Sequence, residues 1–398
     1  MSTTTSKRKS RKSIFYYFAW IFLGTLGICM LAADFLANES PIWVHDGQSW
    51  HFTIYGVPPT LNQPTYEKIH APIRYSPETL DLQYPSEPPK LLNQNNQSKH
   101  KHWLGTDDLG RDILAILIHG SRTSLFIGLL AMVFATINGV LLGGLAGFLG
   151  DKYLKVNVAQ VLSILAGLGM VYFYGFHIRQ YDLADPTIPK WQHIMATSLV
   201  LVCSAAASFG LFKLLVRIKH LAKSRYLPFD LAVQRLIEVF TSIPRIFLIL
   251  SLVVIVSPSL NLFAIIIGLT FWTEVARMVR GEMVRVREYT YIEAAKAIGV
   301  PTLLIFMRHA LPNVWRMILV SFLFGLASTI MMESTLSFLG AGLPPETVSW
   351  GKLLSKFSMI NWWKSVFPGT VIFLTILSFH TLAKELGRGH NIKRNKML

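Results

Sequence analysis

The chain has 398 residues, of which 52% are hydrophobic and only 15% are charged, and its net charge is +16. Soluble globular chains carry about 25% charged residues, so the composition excludes a disordered chain and argues against an ordinary soluble enzyme. The two cysteines lie inside apolar runs and are too few for a disulfide framework or a thiolate metal cluster. The sequence therefore indicates a membrane protein whose positive charge is concentrated outside the apolar segments.

Apolar stretches long enough to cross a bilayer recur along the whole chain. A span needs about 20 apolar helical residues, because lipid offers no partner for an unpaired backbone amide. The predicted spans are Ile14–Leu36, Leu125–Phe148, Val156–Phe176, Ile194–Val216, Phe229–Val256, Leu262–Met278, Met317–Ile330 extending toward Leu339, and Phe367–Leu386. The first follows a basic run and could be read as a signal peptide, but its length and poor cleavage site favour a retained anchor. The sequence predicts an all-α polytopic membrane protein of about eight helices.

The distribution of Lys and Arg predicts the orientation of the spans. With both termini in the cytoplasm, every cytoplasmic segment is net basic, whereas the outer segment 37–112 has six Lys or Arg against nine Asp or Glu. The outer loop 336–365 is mildly basic and is an exception. The orientation of the spans thus accounts for the net positive charge of the chain. The sequence contains no nucleic-acid-binding motif.

The outer segment is polar and rich in proline, which predicts a small extracytoplasmic lobe followed by a linker. His102 ends the polar run 93–102, and we expect it to be solvated rather than to ligate a metal. Asp112 and the aspartates just before it favour the start of a helix, since a carboxylate satisfies free backbone amides there. The pattern of Ile113–Ser124 predicts that this helix lies on the membrane interface.

Two further patterns concern packing. Gly139, Gly143 and Gly147 are four residues apart within the second span, which predicts close approach of another helix. On the outer loop, Trp350 and the pair at 362–363 are typical of an aromatic belt at the membrane interface.

The loop between the sixth and seventh spans, residues 288–312, predicts two helices joined by a sharp turn. The first helix is expected to stop at Gly299, because glycine readily adopts a left-handed cap, and the second begins near Pro301. Small alanines in the first helix allow another protein to approach closely, and Glu293 offers a charge at that contact. The residues that we single out in this loop are Glu293, Ala294, Ala295, Gly299, Leu311 and Pro312.

This loop resembles the EAA loop of the permease subunits of ABC importers, which implies that these residues couple the chain to an ATPase subunit. Three other stretches resemble the peptide/nickel branch of that family: His102–Asp112, Ala276–Gly281 and Glu333–Gly340. Leu36–Pro41 is most similar to the second permease of microcin C and oligopeptide importers. The resemblance implies a type I permease bundle that imports peptides or peptide-like compounds across the bacterial inner membrane.

The resemblance also implies the partners. They are two ATPase subunits, a second homologous permease subunit and an extracytoplasmic substrate-binding protein, with membrane lipid around the bundle. This chain has no phosphate-binding loop and no hydrolase or metalloprotease motif, so we expect no catalytic residue, metal or cofactor in it. ATP and Mg²⁺ would bind to the partner ATPase subunits.

The family pattern divides the chain into segments. They are a basic cytoplasmic tail (1–13), the anchor (14–36), the lobe and linker (37–112), a permease core (113–151 and 228–390), an inserted pair of spans (152–227) and a second basic tail (391–398). Two inserted helices preserve the orientation of everything downstream, so the loop 288–312 stays cytoplasmic.

Three charged residues inside predicted spans are candidates for the translocation path or for pairing between helices, namely Arg245, Glu274 and Glu333. Ionisable groups are costly in lipid and usually face protein or water. The alternative function is a polytopic enzyme that acts on lipid with an extracytoplasmic site. For the importer, the cargo stays open among dipeptides, longer peptides, peptide-like antibiotics and metal complexes, and no substrate-binding residue is identified.

Overall fold

The structure is a computed structural model, and it describes residues 14–58, 66–90, 102–151, 153, 155–178, 190–256, 259–344, 346–355 and 359–394. In this part of the chain, seven helices are long and apolar enough to span a membrane, and there are eight spans if one bent pair of helices crosses as a single span. The all-α polytopic fold is therefore confirmed. The tail predicted at 1–13 and the last four residues of the other tail lie outside the described residues.

The first part of the chain holds the anchor, the lobe and a long helix. The elements are α1 (Ile14–Leu31), α2 (Ala33–Leu36), β1 (Trp43–His45), β2 (Trp50–Phe52), β3 (Glu67–Ile69) and α3 (Ile113–Leu149). The three strands form an antiparallel sheet in the order β2-β1-β3. Within α3, Val140–Gly144 forms a π turn.

Residues 149–235 form a compact unit by themselves. Its elements are β4 (Lys155–Asn157), α4 (Val158–Tyr172), α5 (Lys190–Leu215), α6 (Lys219–Ala222) and β5 (Ser224–Tyr226). The two strands pair, and Asn157 forms a capping box with Gln160 at the start of α4. Gly167 lets α4 approach Ser208 of α5, because a Cβ there would lie 2.1 Å from the serine hydroxyl.

The remaining elements follow in chain order. They are α7 (Phe229–Ser242), α8 (Arg245–Val256), α9 (Leu260–Val286), α10 (Thr290–Ala297), α11 (Thr302–Phe338), α12 (Trp350–Leu354) and α13 (Trp363–Arg394). The predicted span Phe229–Val256 is divided into two helices, α7 and α8, which meet at 81°. Pro244 lies at the break, where its ring disfavours a helical conformation of Ile243.

The glycine spacing of α3 produces the expected close contact, which is with α9. A Cβ on Gly143 would lie 2.3 Å from the carbonyl oxygen of Ala276, and one on Gly147 would lie 2.5 Å from that of Arg280. The backbones of the two helices therefore touch along this stripe.

The prediction of an interfacial helix at Ile113–Ser124 is wrong. These residues are the first turns of α3, and Ile113, Ile116 and Leu117 are buried in protein. Asp112 begins the helix as predicted, since its side chain accepts a hydrogen bond from the Ala115 amide at 2.8 Å. The apolar residues that suggested an interfacial helix pack instead against α12 and α13.

The prediction that the tryptophans form a belt at the membrane interface is also largely wrong. Trp350 is fully buried, and its indole N–H donates to the Leu117 carbonyl at 3.0 Å. Trp363 is buried in the same cluster, whereas Trp362 stays exposed. Trp350 therefore fixes the segment between α11 and α13 onto α3.

His102 is buried rather than solvated, which overturns the linker expectation for this residue. Its ring stacks on Tyr75 at 4.2 Å, and its Nδ1 lies 2.9 Å from Asp112 while its Nε2 lies 3.6 Å from Asp81. Burial disfavours the charged ring, but Asp112, Asp81 and Glu87 outweigh it and raise the pKa of His102. Burial also raises the pKa of Glu87. Among the described residues, no group of three or more His, Cys, Asp or Glu could hold a metal ion.

The lobe is therefore expected to be more stable in mild acid. A histidine whose folded pKa is raised contributes stability that is complete below its unfolded pKa of about 6.5 and is lost as the pH rises through the folded pKa. The raised pKa of Glu87 acts in the same direction. Hydrogen exchange of the β-sheet in the whole protein should show protection that falls as the pH rises, and His102→Gln should flatten that dependence. The half-exposed His45 provides the control, and an equal effect of His45→Gln would contradict the assignment.

Candidate functional site

The turn at the end of α10 is a Schellman motif. The N–H of Val300 donates to the Ala295 carbonyl at 3.1 Å, and the N–H of Gly299 donates to the Lys296 carbonyl at 3.0 Å. Gly299 has a φ of +81°, the left-handed conformation that glycine adopts without steric cost. The chain thus reverses direction within a few residues, and we call residues 288–312, which flank this turn, the elbow.

The second helix of the elbow does not stop at Pro312 but continues to Phe338 as α11. A π turn at Phe306–Ala310 ends two residues before the proline. Because proline lacks an amide hydrogen and crowds the preceding turn, this wider turn accommodates it within a long helix. Leu311 is half-buried, and Pro312 is exposed. The second half of the elbow is consequently the start of a 37-residue helix that is long enough to span a membrane.

The elbow presents an apolar surface to its surroundings. Ile292 is buried and anchors α10, whereas Glu293 and Ala294 are exposed and Ala295 is half-buried. Beyond the turn, Ile298 is 81% exposed. We define the coupling surface as the exposed residues Glu293, Ala294, Ile298, Leu303, Leu304 and Met307.

Side-chain contacts fasten α10 to α3 and α11. The amide of Asn313 donates to the Tyr291 hydroxyl at 2.7 Å. The Lys296 ammonium lies 5.6 Å from the ring centre of Phe148, which in turn packs on Phe306 with ring centres 5.5 Å apart. These contacts connect α10 to two of the longest helices.

Arg245 and Glu274 meet between α8 and α9. The guanidinium Nη2 lies 2.8 Å from the carboxylate Oε1, and the guanidinium also stacks on the Phe271 ring at 3.9 Å. Glu274 lies near the middle of α9 and is still 51% exposed. A cavity of about 130 Å³ adjoins it, lined also by Met132, Phe271, Val275, Met278, Ser321, Phe324 and Gly325.

Glu333 lies near the end of α11 and is fully buried. Its carboxylate accepts hydrogen bonds from Ser337 at 2.8 Å, from Ser124 of α3 at 3.0 Å and from Ser334 at 3.3 Å. The carboxylate therefore joins α11 to α3. The structure does not bring it together with Arg245 and Glu274.

Sequence reasoning missed the apolar half of the coupling surface. Ile298, Leu303 and Met307 flank the turn, and a helix tip in water that carries several apolar residues is a signal for docking. It also missed the contact of Tyr291 with Asn313, because residues 22 apart in sequence give no local signal.

The comparisons with known proteins agree with this architecture. Residues 221–389 match the family model described as the binding-protein-dependent transport system inner membrane component. The dipeptide transport system permease protein DppC of Bacillus subtilis is 26% identical over 300 residues, which cover 74% of this chain and 70% of the relative. The inner membrane ABC transporter permease protein YejE of Escherichia coli is 27% identical over 392 residues, covering 92% and 89%. The oligopeptide transport system permease protein OppC of Bacillus subtilis is 24% identical over 299 residues, covering 74% and 73%.

The helical bundle and these matches define a membrane transport subunit rather than an enzyme. Residues 221–389, which include the coupling surface, form a permease domain of the binding-protein-dependent transport systems. The chain is an importer permease of the ABC class and a multi-pass protein of the inner membrane. Permeases of this class work with ATPase and substrate-binding partners.

Proposed function

We propose that this chain is one of two permease subunits of an ATP-driven importer for peptides or peptide-like compounds, with a type I bundle. The names of DppC and OppC, which refer to dipeptides and oligopeptides, support this class of cargo. Two ATPase subunits bind ATP and Mg²⁺ on the cytoplasmic side, and a binding protein delivers cargo to the outer side. Both termini of the chain are cytoplasmic.

The observation that carries the proposal is the exposed coupling surface on a rigidly attached elbow. Glu293, Ala294, Ala295 and Gly299 shape the first half of the elbow, and Leu311 and Pro312 lie in the helix that follows. Closure of the ATPase dimer around ATP would move α10, and its contacts with α3 and α11 would move the spans as rigid bodies. The path then alternates between inward-open and outward-open populations.

We place Glu274 at the border of the path along which the cargo is translocated. A half-exposed carboxylate near the middle of a span is costly in lipid, so this face of α9 borders water or protein. Arg245 holds the carboxylate in place, and the adjoining cavity provides space beside it. Glu333 contributes instead to the packing of α11 on α3.

Removing either member of the Arg245–Glu274 pair should lower the initial rate of uptake about tenfold, because each change leaves an uncompensated charge in the bundle. The double variant should lose much less than the product of the two single losses. The control is Arg388→Ala, which breaks the surface pair of Arg388, 57% exposed, with Glu385 on α13 and should have little effect. Losses that multiply independently would show that the two residues do not act as a pair.

Purification of the tagged chain from its own cells in a mild detergent tests the proposed partners. Mass spectrometry should detect two ATPase subunits and a second permease with the unchanged chain, and Ile298→Asp should deplete the ATPases. Ile360→Asp is the matched control, since Ile360 is 84% exposed on the outer loop and lies outside the coupling surface. Equal recovery of the ATPases with Ile298→Asp would reject the coupling surface, and recovery of the unchanged chain without any ATPase would reject the proposed importer.

A further inference from the structure

One face of the sheet in the outer lobe is apolar and exposed. Phe52, Trp43 and Ile69 are register neighbours across the three strands, and each is between 39% and 50% exposed. Val44, which follows Trp43 and points to the opposite face, is fully buried in the lobe. The sheet thus covers the lobe core with one face and leaves a row of large apolar side chains on the other.

This row is continuous with an exposed stripe on the anchor helix. Ile28, Leu31 and Phe35 recur at a spacing that places them on one face of α1 and α2, and all three are exposed. The opposite face holds Ala33, which is fully buried, and its neighbour Asp34 pairs with Arg122 of α3 at 3.0 Å. The exposed stripe therefore faces away from the bundle, toward lipid along a membrane span.

Aromatic contacts carry the stripe onto the sheet. The ring centres of Phe35 and Phe52 are 6.2 Å apart, and those of Phe52 and Trp43 are 5.1 Å apart. The next row on the same face is more polar and contains Trp50, His45 and Glu67. The face thus changes from apolar near the end of the anchor to polar one row further out, as side chains at a membrane interface do.

The lobe is also fixed to the spans. Lys364 of α13 is fully buried and donates to Ser86 at 2.8 Å and to Asp108. His119 of α3 bonds to the carbonyl of Ala37 at 2.8 Å. The sheet is therefore held at the outer end of α1 and α3 rather than on a free tether.

We propose that Phe35, Trp43, Phe52 and Ile69 form a platform that lies in the headgroup region of the outer leaflet. The occupant of this face is the lipid bilayer, because the face continues the lipid-facing stripe of α1. The contact goes beyond transport coupling, and it anchors the lobe to the membrane surface independently of any partner.

The test places one fluorescent label on the apolar face of the sheet and one at the exposed turn between β1 and β2 in the full chain. Cys29 and Cys203 are replaced by serine, and Ile69→Cys or Gln48→Cys is labelled with nitrobenzoxadiazole. Gln48 is the control because it is exposed and lies in the turn beyond the polar row of His45 and Trp50. In phosphatidylcholine vesicles, the label at 69 should emit at shorter wavelength, be quenched by doxyl-labelled lipid, and be at least about threefold less accessible to iodide than the label at 48.

Trp43→Cys should give the same result as Ile69→Cys one strand away, so that a folding defect of one variant does not decide the outcome. Equal iodide quenching at 69 and 48 without quenching from lipid would overturn the proposal. Shielding of position 69 only after addition of the purified binding protein would also overturn it, since the face would then be a protein docking surface.

Discussion

Replacing Gly299 with valine is expected to lower ATP-driven uptake about tenfold or more while leaving insertion into the membrane unchanged. A residue with a side chain in the left-handed conformation costs about 1–2 kcal/mol, and β-branched residues are the least tolerated there. That cost falls on the Schellman turn, so the valine variant should lose the geometry that presents Ile298. The measurement is initial uptake in cells together with the amount of protein in the membrane. Glu293→Ala should lower uptake in the same way by removing the exposed charge of the surface.

Gly281→Val is the matched control for the turn. A Cβ added at either glycine would meet no neighbouring atom within 4 Å, but only Gly299 has a positive φ. The two substitutions therefore add the same bulk to open space and differ in backbone strain. Normal uptake with Gly299→Val, or an equal loss with Gly281→Val, would contradict a role of the turn in coupling.

Replacing Gly143 with alanine is expected to destabilise the bundle by about 1–3 kcal/mol, the usual cost of forcing atoms into a packed interior. The new methyl group would lie 2.3 Å from the Ala276 carbonyl oxygen, and α3 and α9 would have to separate. Because this contact runs along the bundle, thermal unfolding in detergent should begin at a clearly lower temperature. Less protein should also be recovered from the membrane.

Gly27→Ala in α1 provides the control for Gly143→Ala. A Cβ added at Gly27 would meet no neighbouring atom within 4 Å, so alanine should stabilise the helix by about 0.5–1 kcal/mol through its better helix propensity. Opposite signs for the two substitutions would support close packing at Gly143. A neutral Gly143→Ala would show that α3 and α9 separate without cost.

Local patterns predicted the features that depend on few neighbours. Asp112 begins α3, and Gly299 ends α10, because capping chemistry is decided within a few residues of the chain. The glycines of α3 predicted close packing, although not the helix that fills the space. The number of apolar spans followed from their length and composition.

Features set by distant contacts could not be predicted in the same way. Trp350 is typical of an interfacial residue by sequence, yet it bonds to the carbonyl of Leu117, which is 233 residues away. His102 ends a polar run, yet it packs on Tyr75 inside the lobe. The break of the fifth span had a local signal in Pro244, but the apolar residues on both sides concealed it.

The candidate site was predicted in part. Its sequence motif located α10, while the exposure of Ile298 and the contact between Tyr291 and Asn313 emerged only from the folded chain. Arg245 and Glu274 are 29 residues apart, so their contact depends on how α8 packs on α9. Glu333 carried the same intramembrane signal, yet folding surrounds it with serines.

The measurement that tests the central claim most directly is peptide transport by the purified complex in lipid vesicles. The complex is reconstituted with its binding protein outside and ATP inside, and labelled dipeptides and oligopeptides are supplied outside. The account predicts that peptide accumulates only with hydrolysable ATP and that Gly299→Val reduces this accumulation while Gly281→Val does not. ATP hydrolysis without accumulation of any peptide would contradict the peptide cargo, and the absence of an ATPase from the complex would contradict the importer itself.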